Sequence, residues 1–345
     1  MIRRSKLASC VGLMGTLLFG PAIGMADDDV WIGREFVPKS TCRPKIGTQD
    51  VQLTRLPVPF KVQQVQGEWL WVGQAWVKKR DVAPVVELIE EFSVDRWNNF
   101  FIKLPVTIKG RPYHFAFDTG CVYCIVDSKF RSEFPASGDQ HDLAVEGAQP
   151  FRQLEETHLG TSRIPVSCDA ICLDLSEFRW PGGYGIHGVL GMNFLKHHVV
   201  QLDLDSGKLS FMKSPPRFAQ WQLTTKYESE RPVWEIKMGD RGNVPFILDT
   251  GMIGRTAVQF ETGIFQELMD RERINRVYDG KSLTFLGVER KRYGKIDTFG
   301  VDGWEVKSAH VGEGTNMLGV EFLKGRVILF DFPNRSISMR KKAAN

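Results

Sequence analysis

Two tripeptides, Asp118-Thr119-Gly120 and Asp249-Thr250-Gly251, each close a run of alternating apolar residues. A carboxylate at the end of a buried strand is a candidate acid or base. Two carboxylates within about 3 Å of one another cannot both ionise comfortably, so they share one proton and their pKa values separate. The ionised member can then take a proton from a water while the protonated member polarises a carbonyl. Attack by that water gives a tetrahedral intermediate with no covalent adduct to the protein. Gly120 and Gly251 suit the sharp turn and let backbone approach the carboxylates. A lone Asp-Thr-Gly carries little information; the flanking sequence gives these two their weight.

That sequence is an internal repeat. In the first copy Ile102, Leu104, Val106 and Ile108 alternate along a predicted strand. A turn at Lys109 to Pro112 follows, and Tyr113, Phe115 and Phe117 lead into Asp118. The second copy runs through Trp234, Ile236 and Met238, a turn at Gly239 to Gly242, then Val244, Phe246 and Leu248 into Asp249. Both read as hairpins of period two. Downstream, the segment from Val189 through Leu190 and Gly191 to Lys196 matches that from Met317 through Leu318 and Gly319 to Lys324. Asp118 precedes Leu190 by 72 residues and Asp249 precedes Leu318 by 69, a coincidence of spacing that chance does not supply. A further hairpin is expected after each segment, and Ser214-Pro215-Pro216 reads as the linker between the copies.

With both motifs at matched spacing, each copy resembles one lobe of a retropepsin-like aspartic peptidase, and the tandem resembles the two lobes of pepsin-like enzymes. The resemblance spans nearly all of residues 98–340, as lobe one at 98–214 and lobe two at 221–340. It implies a mainly β, bilobal fold whose two Asp-Thr-Gly loops meet on a pseudo-two-fold axis, with Asp118 and Asp249 as the catalytic pair. It further implies that Thr119 and Thr250 tie the loops together, and that Leu190-Gly191 and Leu318-Gly319 brace them. The implied activity is endopeptidase action on a peptide or protein substrate by a monomer whose lobes pair in cis, with no cofactor and no metal. Where the family places Ala, Ser or Thr after the tripeptide, this chain has Cys121 and Met252. Neither is a good donor to the outer carboxylate oxygen, and Met252 is bulky where substrate should lie. A non-catalytic binding protein that keeps the same cleft is the alternative.

Other residues invite chemistry less strongly. Glu146-Gly147 and Asp279-Gly280 lie 28 and 30 residues after their Asp residues, where substrate-covering hairpins would turn, and Tyr278 is a possible flap aromatic. His197-His198 aligns with Gly325-Arg326 and reads as an exposed strand end. Cys121, Cys124, Cys168 and Cys172 are too loosely spaced for a zinc site. One disulfide joining the first pair's segment to the second's is expected.

Residues 1–26 read as a signal peptide: Arg3, Arg4 and Lys6, an apolar run from Leu7, and small residues Gly24 and Ala26. Export with cleavage near Ala26, to a periplasmic or extracellular location, is the expectation. Across the chain 45 basic residues face 41 acidic ones, which leaves no basic field of the size nucleic acid demands. Residues 38–83 carry short alternating strands with Trp69, Trp71 and Trp76, and Gly67 to Val77 resembles the end of a bacterial SH3-like barrel. The resemblance implies a cell-wall or peptide ligand, although a core or docking role fits the tryptophans better, since aromatics are mostly buried for packing. Val85 to Phe92 is expected to be a short amphipathic helix joining this module to the repeat.

Overall fold

The computed structural model describes residues 35–39, 42–52, 59–84, 87–94, 101–143, 147–179, 185–216, 221–301 and 303–341. The expected signal peptide at 1–26 lies outside the described residues. The fold is mainly β, and its longest described helix is Thr262–Asp270. Among the described residues no helix is long and apolar enough to cross a membrane. The chain divides into two compact units, Met1–Val85 and Val86–Asn345.

The first unit holds two antiparallel sheets. Glu35–Pro38 is flanked by Phe60–Lys61 and Val82–Pro84, and a second sheet of five short strands includes the hairpin Gln64–Gln66, Trp69–Trp71 and its neighbour Trp76–Lys78. Phe36, Phe60, Leu70 and Val77 are fully buried, so the period-two alternation sends these side chains inward. Trp69, Trp71 and Trp76 occupy the other face, half-buried, and the Trp71 and Trp76 rings meet at 5.3 Å. The Lys78 ammonium lies 5.1 Å above the Trp69 ring.

In the second unit each copy of the repeat forms a sheet with the same centre. The strand Arg111–Phe117 runs into Asp118 and pairs in parallel with Gly188–Leu190, which in turn pairs antiparallel with Cys124–Asp127. In the second copy Asn243–Leu248, Met317–Leu318 and Thr256–Phe260 repeat the arrangement. The short strand of each copy is thus inserted between the strands entering and leaving the Asp-Thr-Gly loop. Its backbone holds the loop: Leu190 O accepts from Asp118 N at 3.2 Å and Leu318 O from Asp249 N at 2.9 Å.

A six-stranded sheet joins the copies. At its middle Val199–Asp203 pairs antiparallel with Arg326–Asp331, with Gln201 opposite Leu329, Val199 opposite Asp331 and Asp203 opposite Val327. Equivalent residues exchange places about that centre, so the pairing is self-complementary in the manner of a symmetric dimer interface. Its inward residues Val200, Leu202, Ile328 and Phe330 are fully buried. The outer strands are Leu223–Lys226 on one edge and Leu88–Ser93 on the other.

The latter corrects two expectations. The predicted helix from Val85 to Phe92 is a strand over Leu88–Ser93, paired with Lys208–Met212 through Leu209 opposite Phe92. The first copy therefore begins upstream of residue 98. The apolar spacing of this segment fits either structure. Tertiary pairing decides it, because Phe92 packs edge-on against Phe211 at 5.8 Å and Glu90 accepts from the amides of Thr161 and Ser162 at 2.7 and 2.9 Å. The expectation of an exposed strand end at His197-His198 also fails in part. His197 is exposed, but His198 packs on Phe194 and Phe211, and burial lowers its pKa to about 4. Arg326, at the aligned position, is buried against Phe322 and Trp304.

The central strand pair has a direct test. Phe330 is fully buried, facing Phe117 and stacked on Phe332. Phe330→Ala is expected to cost about 3–5 kcal/mol in chemical denaturation monitored by tryptophan fluorescence.

Candidate active site

The two Asp-Thr-Gly loops meet where the sheets converge. Thr119 and Thr250 are fully buried and bond reciprocally: Thr119 N donates to Thr250 Oγ1 at 3.0 Å and Thr250 N to Thr119 Oγ1 at 3.1 Å. Each hydroxyl passes its own proton across to the other copy, Thr119 to Leu248 O at 2.6 Å and Thr250 to Phe117 O at 2.8 Å. Both amides, both hydroxyls and both strand-end carbonyls of this junction are therefore paired within the protein, as their burial requires.

The carboxyls lie side by side above it, both buried. Asp118 Oδ1 accepts from the amides of Gly120 and Cys121 at 2.8 and 3.1 Å; Asp249 Oδ1 accepts from those of Gly251 and Met252 at 2.7 and 3.1 Å. A side chain at either glycine is impossible. A Cβ on Gly120 would fall 2.4 Å from Asp249 Cγ, and one on Gly251 would fall 2.2 Å from Asp118 Oδ2.

The two groups are not equivalent. Burial and then the adjacent Asp249 carboxylate push Asp118 well above the ordinary carboxylate range. Burial also raises Asp249, but the Gly251 amide, a hydrogen bond from Asp118, the Met252 amide and the Arg231 charge counter it. Both carboxyls are thus held above the ordinary range, and the pair carries one shared proton and one negative charge. Arg231 reaches across from the second copy, its Nη1 3.5 Å from Gly120 O.

The brace segments approach closely. Gly191 lies under the backbone of Tyr123, where a Cβ would come 2.3 Å from the Tyr123 carbonyl oxygen, and Met192 N and Asn193 N donate to Cys121 O and Val122 O. On the other side Val320 N donates to Met252 O at 3.1 Å. The Met252 side chain is buried, with its methyl packed against Gly319. Met252 also lines the cleft over the carboxyls, where its bulk was expected to lie beside the substrate path. Cys121 has its thiol pushed well above its usual pKa by burial and by the two aspartates, so it is a neutral neighbour of the pair and not a thiolate.

A cleft of about 900 Å³ opens over both carboxyls. Its cover is a single long hairpin from the second copy, Ile274–Thr284 with Gly287–Val301. The expected turn at Asp279-Gly280 lies within its first strand; the chain turns at Thr284 to Gly287, where Thr284 Oγ1 donates to Gly287 O at 2.9 Å. Hairpin length, which residue spacing alone does not set, is the reason for the difference. Phe285 at the tip crosses to the first copy and packs on Phe101 at 5.5 Å and Phe178 at 4.9 Å. Tyr278 lines the cleft and stacks on Tyr293 at 5.7 Å. The corresponding hairpin of the first copy, Ala136–Leu143 with Gly147–Gln153, is shorter; Glu146 lies outside the described residues.

No disulfide links the five described cysteines. The two segments expected to be bridged do meet, with Cys124 Sγ 3.3 Å from Cys168 Sγ, but as a thiol–thiol contact. Among the described residues no cluster of His, Cys, Asp or Glu could hold a metal ion. The sequence reading missed Phe101, Phe178, Phe285 and Arg231. Only the turn residues near Gly287 hinted at the hairpin tip. The chain matches no protein-family model and no curated protein.

Two outcomes test this geometry. Thr119→Ala leaves the buried Thr250 amide without its acceptor and is expected to cost about 1–3 kcal/mol, with Thr119→Ser close to wild type, in thermal unfolding. The second concerns proton linkage. A carboxyl whose folded pKa is raised stabilises fully below the unfolded value of 3.8, and that contribution is lost as pH rises through the folded value. Asp118→Asn, which keeps the acceptor and can still donate to Asp249, is therefore expected to gain in stability over wild type as pH rises from 4 to 7.

Proposed function

We propose that this chain is an exported aspartic-type endopeptidase that hydrolyses peptide bonds in one cleft formed by the two copies of its repeat. The observation that carries the reading is the pair of buried, adjacent carboxyls, held alike by two backbone amides each and both raised above the ordinary carboxylate range.

We assign the charge to Asp249, which Arg231 and two backbone amides favour; it takes a proton from a water in the cleft, and that oxygen forms a bond to the peptide carbonyl carbon. Asp118 gives its proton to the carbonyl oxygen, so charge does not accumulate there. In the second half one diol hydroxyl returns its proton to Asp118, Asp249 passes the proton it took from water to the nitrogen, and the C–N bond breaks to give an amine and a carboxylic acid. One water is consumed and no covalent adduct to the protein forms. The buried threonine exchange fixes the carboxyl separation, and the hairpin over the cleft keeps bulk water from the reacting atoms. Where the family places Ala, Ser or Thr this chain has Cys121 and Met252, whose amides still serve the inner oxygens. The small N-terminal unit, with its half-buried tryptophan face, is the proposed docking module for a peptide or cell-wall ligand, in keeping with its SH3-like sequence.

Cleavage of a random peptide pool by the purified protein, followed by mass spectrometry across acid to neutral pH, tests the reading. Asp118→Asn and Asp249→Asn should each lower kcat by about 10²–10⁴-fold. The pH profile should be bell-shaped, its upper limb set by the pair's shared proton and lying above the ordinary carboxylate range. If either variant keeps most of the wild-type rate, the shared-proton mechanism is wrong. A wild type that binds peptides without cleaving them would leave the cleft as a binding site only.

A further inference from the structure

The frame of the cleft is symmetric and its lining is not. Equivalent backbone positions can be paired through the hydrogen bonds they make. Phe117 N donates to Ile102 O in the first copy, and Leu248 N donates to Pro232 O in the second. The preceding residues, Phe101 and Arg231, are therefore counterparts, one aromatic and one cationic. Ile125 stands opposite Val189 and Gln259 opposite Met317, which makes Ile125 and Gln259 counterparts as well. The first copy lines its side of the cleft with Phe101, Ile125, Ile171, Leu173 and Phe178, none of them charged.

The second copy contributes cations. Counting from each Asp to these paired strand positions, the loop after Asp249 is three residues longer than the loop after Asp118, and Arg255 lies in the extra length. Arg255 is exposed and lines the cleft, as does Lys281 on the covering hairpin. Neither makes an ion pair among the described residues. Lys291 lines the same wall and is neutralised by Glu289 at 2.8 Å. His310, beside them, has its pKa lowered by burial first and then by the charges of Lys295 and Arg255, against the opposing charge of Glu321. The covering hairpin as a whole, residues 274–301, carries six basic and three acidic residues. The opposing negative charge is that of the aspartate pair, held as a single charge.

We infer that the cleft selects an extended polypeptide with an apolar side chain on the first-copy side of the carboxyls and an acidic side chain on the second-copy side, where Arg255 and Lys281 receive it. This rests on the peptidase reading for its substrate class, but selectivity is a property of binding and can be measured without turnover. The charges are solvent-accessible, so each ion pair contributes modestly and is weakened by salt.

The test uses Asp118→Asn protein and two fluorescein-labelled octapeptides measured by fluorescence anisotropy. Both carry a central Leu-Phe; one has Glu at the three positions on either side and the other has Gln. The Glu peptide is expected to bind about 3- to 10-fold tighter in low salt. That preference should fall to near unity in Arg255→Gln/Lys281→Gln, and likewise in 0.5 M NaCl. Equal affinities, a preference for Gln, no binding of either peptide, or a Glu preference that survives the double substitution would each overturn the inference. Wild-type protein is assayed for cleavage of the same pair. Selective binding without cleavage would sink the peptidase reading and leave the selectivity standing; cleavage without selectivity would do the reverse.

Discussion

The hydroxyls of Thr119 and Thr250 each accept the other copy's backbone amide and donate to the other copy's strand-end carbonyl, out of reach of solvent. Four hydrogen bonds in one small buried volume leave the two loops no relative freedom. Breaking any one would strand a polar group where water cannot compensate it, at a cost larger than the bond's net worth. The close placement of Asp118 and Asp249 follows from this junction, and with it the upward shift of both carboxyls. Two carboxyls placed loosely would each ionise in water; two held together and buried cannot.

The junction needs a rigid support, which comes from backbone and not from side chains. The inserted strands Gly188–Leu190 and Met317–Leu318 hold each loop at its first residue, and the self-complementary pairing of Val199–Asp203 with Arg326–Asp331 holds the copies to one another. Main-chain pairing tolerates divergence of side chains, since every residue but proline offers the same donor and acceptor. That tolerance is what allows the two sides of the cleft to differ. An aromatic in one copy can face an arginine in the other, and one hairpin can lengthen into a cover while its counterpart stays short, without disturbing the carboxyl pair.

Much of this was legible in the residues. The two tripeptides, the Leu-Gly pairs that follow them and the period-two runs before them predict a mainly β chain with repeated, strand-borne loops, and the structure places those residues together. The strand Leu88–Ser93 was not legible, because a six-residue segment with apolar residues at mixed spacing suits a helix or an edge strand equally. Its partner, Lys208–Met212, lies more than a hundred residues away. The disulfide expectation also depended on distance that spacing cannot give, and the structure brings Cys124 and Cys168 only to contact.

The sequence by itself determined the alternation of buried and exposed residues along each strand and the presence of two equivalent carboxyl loops. Both are local: a side-chain period of two and a glycine after Asp-Thr are written in neighbouring residues. Only the tertiary structure decided that both carboxyls are buried and raised together, that one hairpin covers the cleft with Phe285 against Phe101 and Phe178, and that cations gather on one side of it. Those properties depend on burial and on charges brought together from distant segments, and neither exists until the chain has folded.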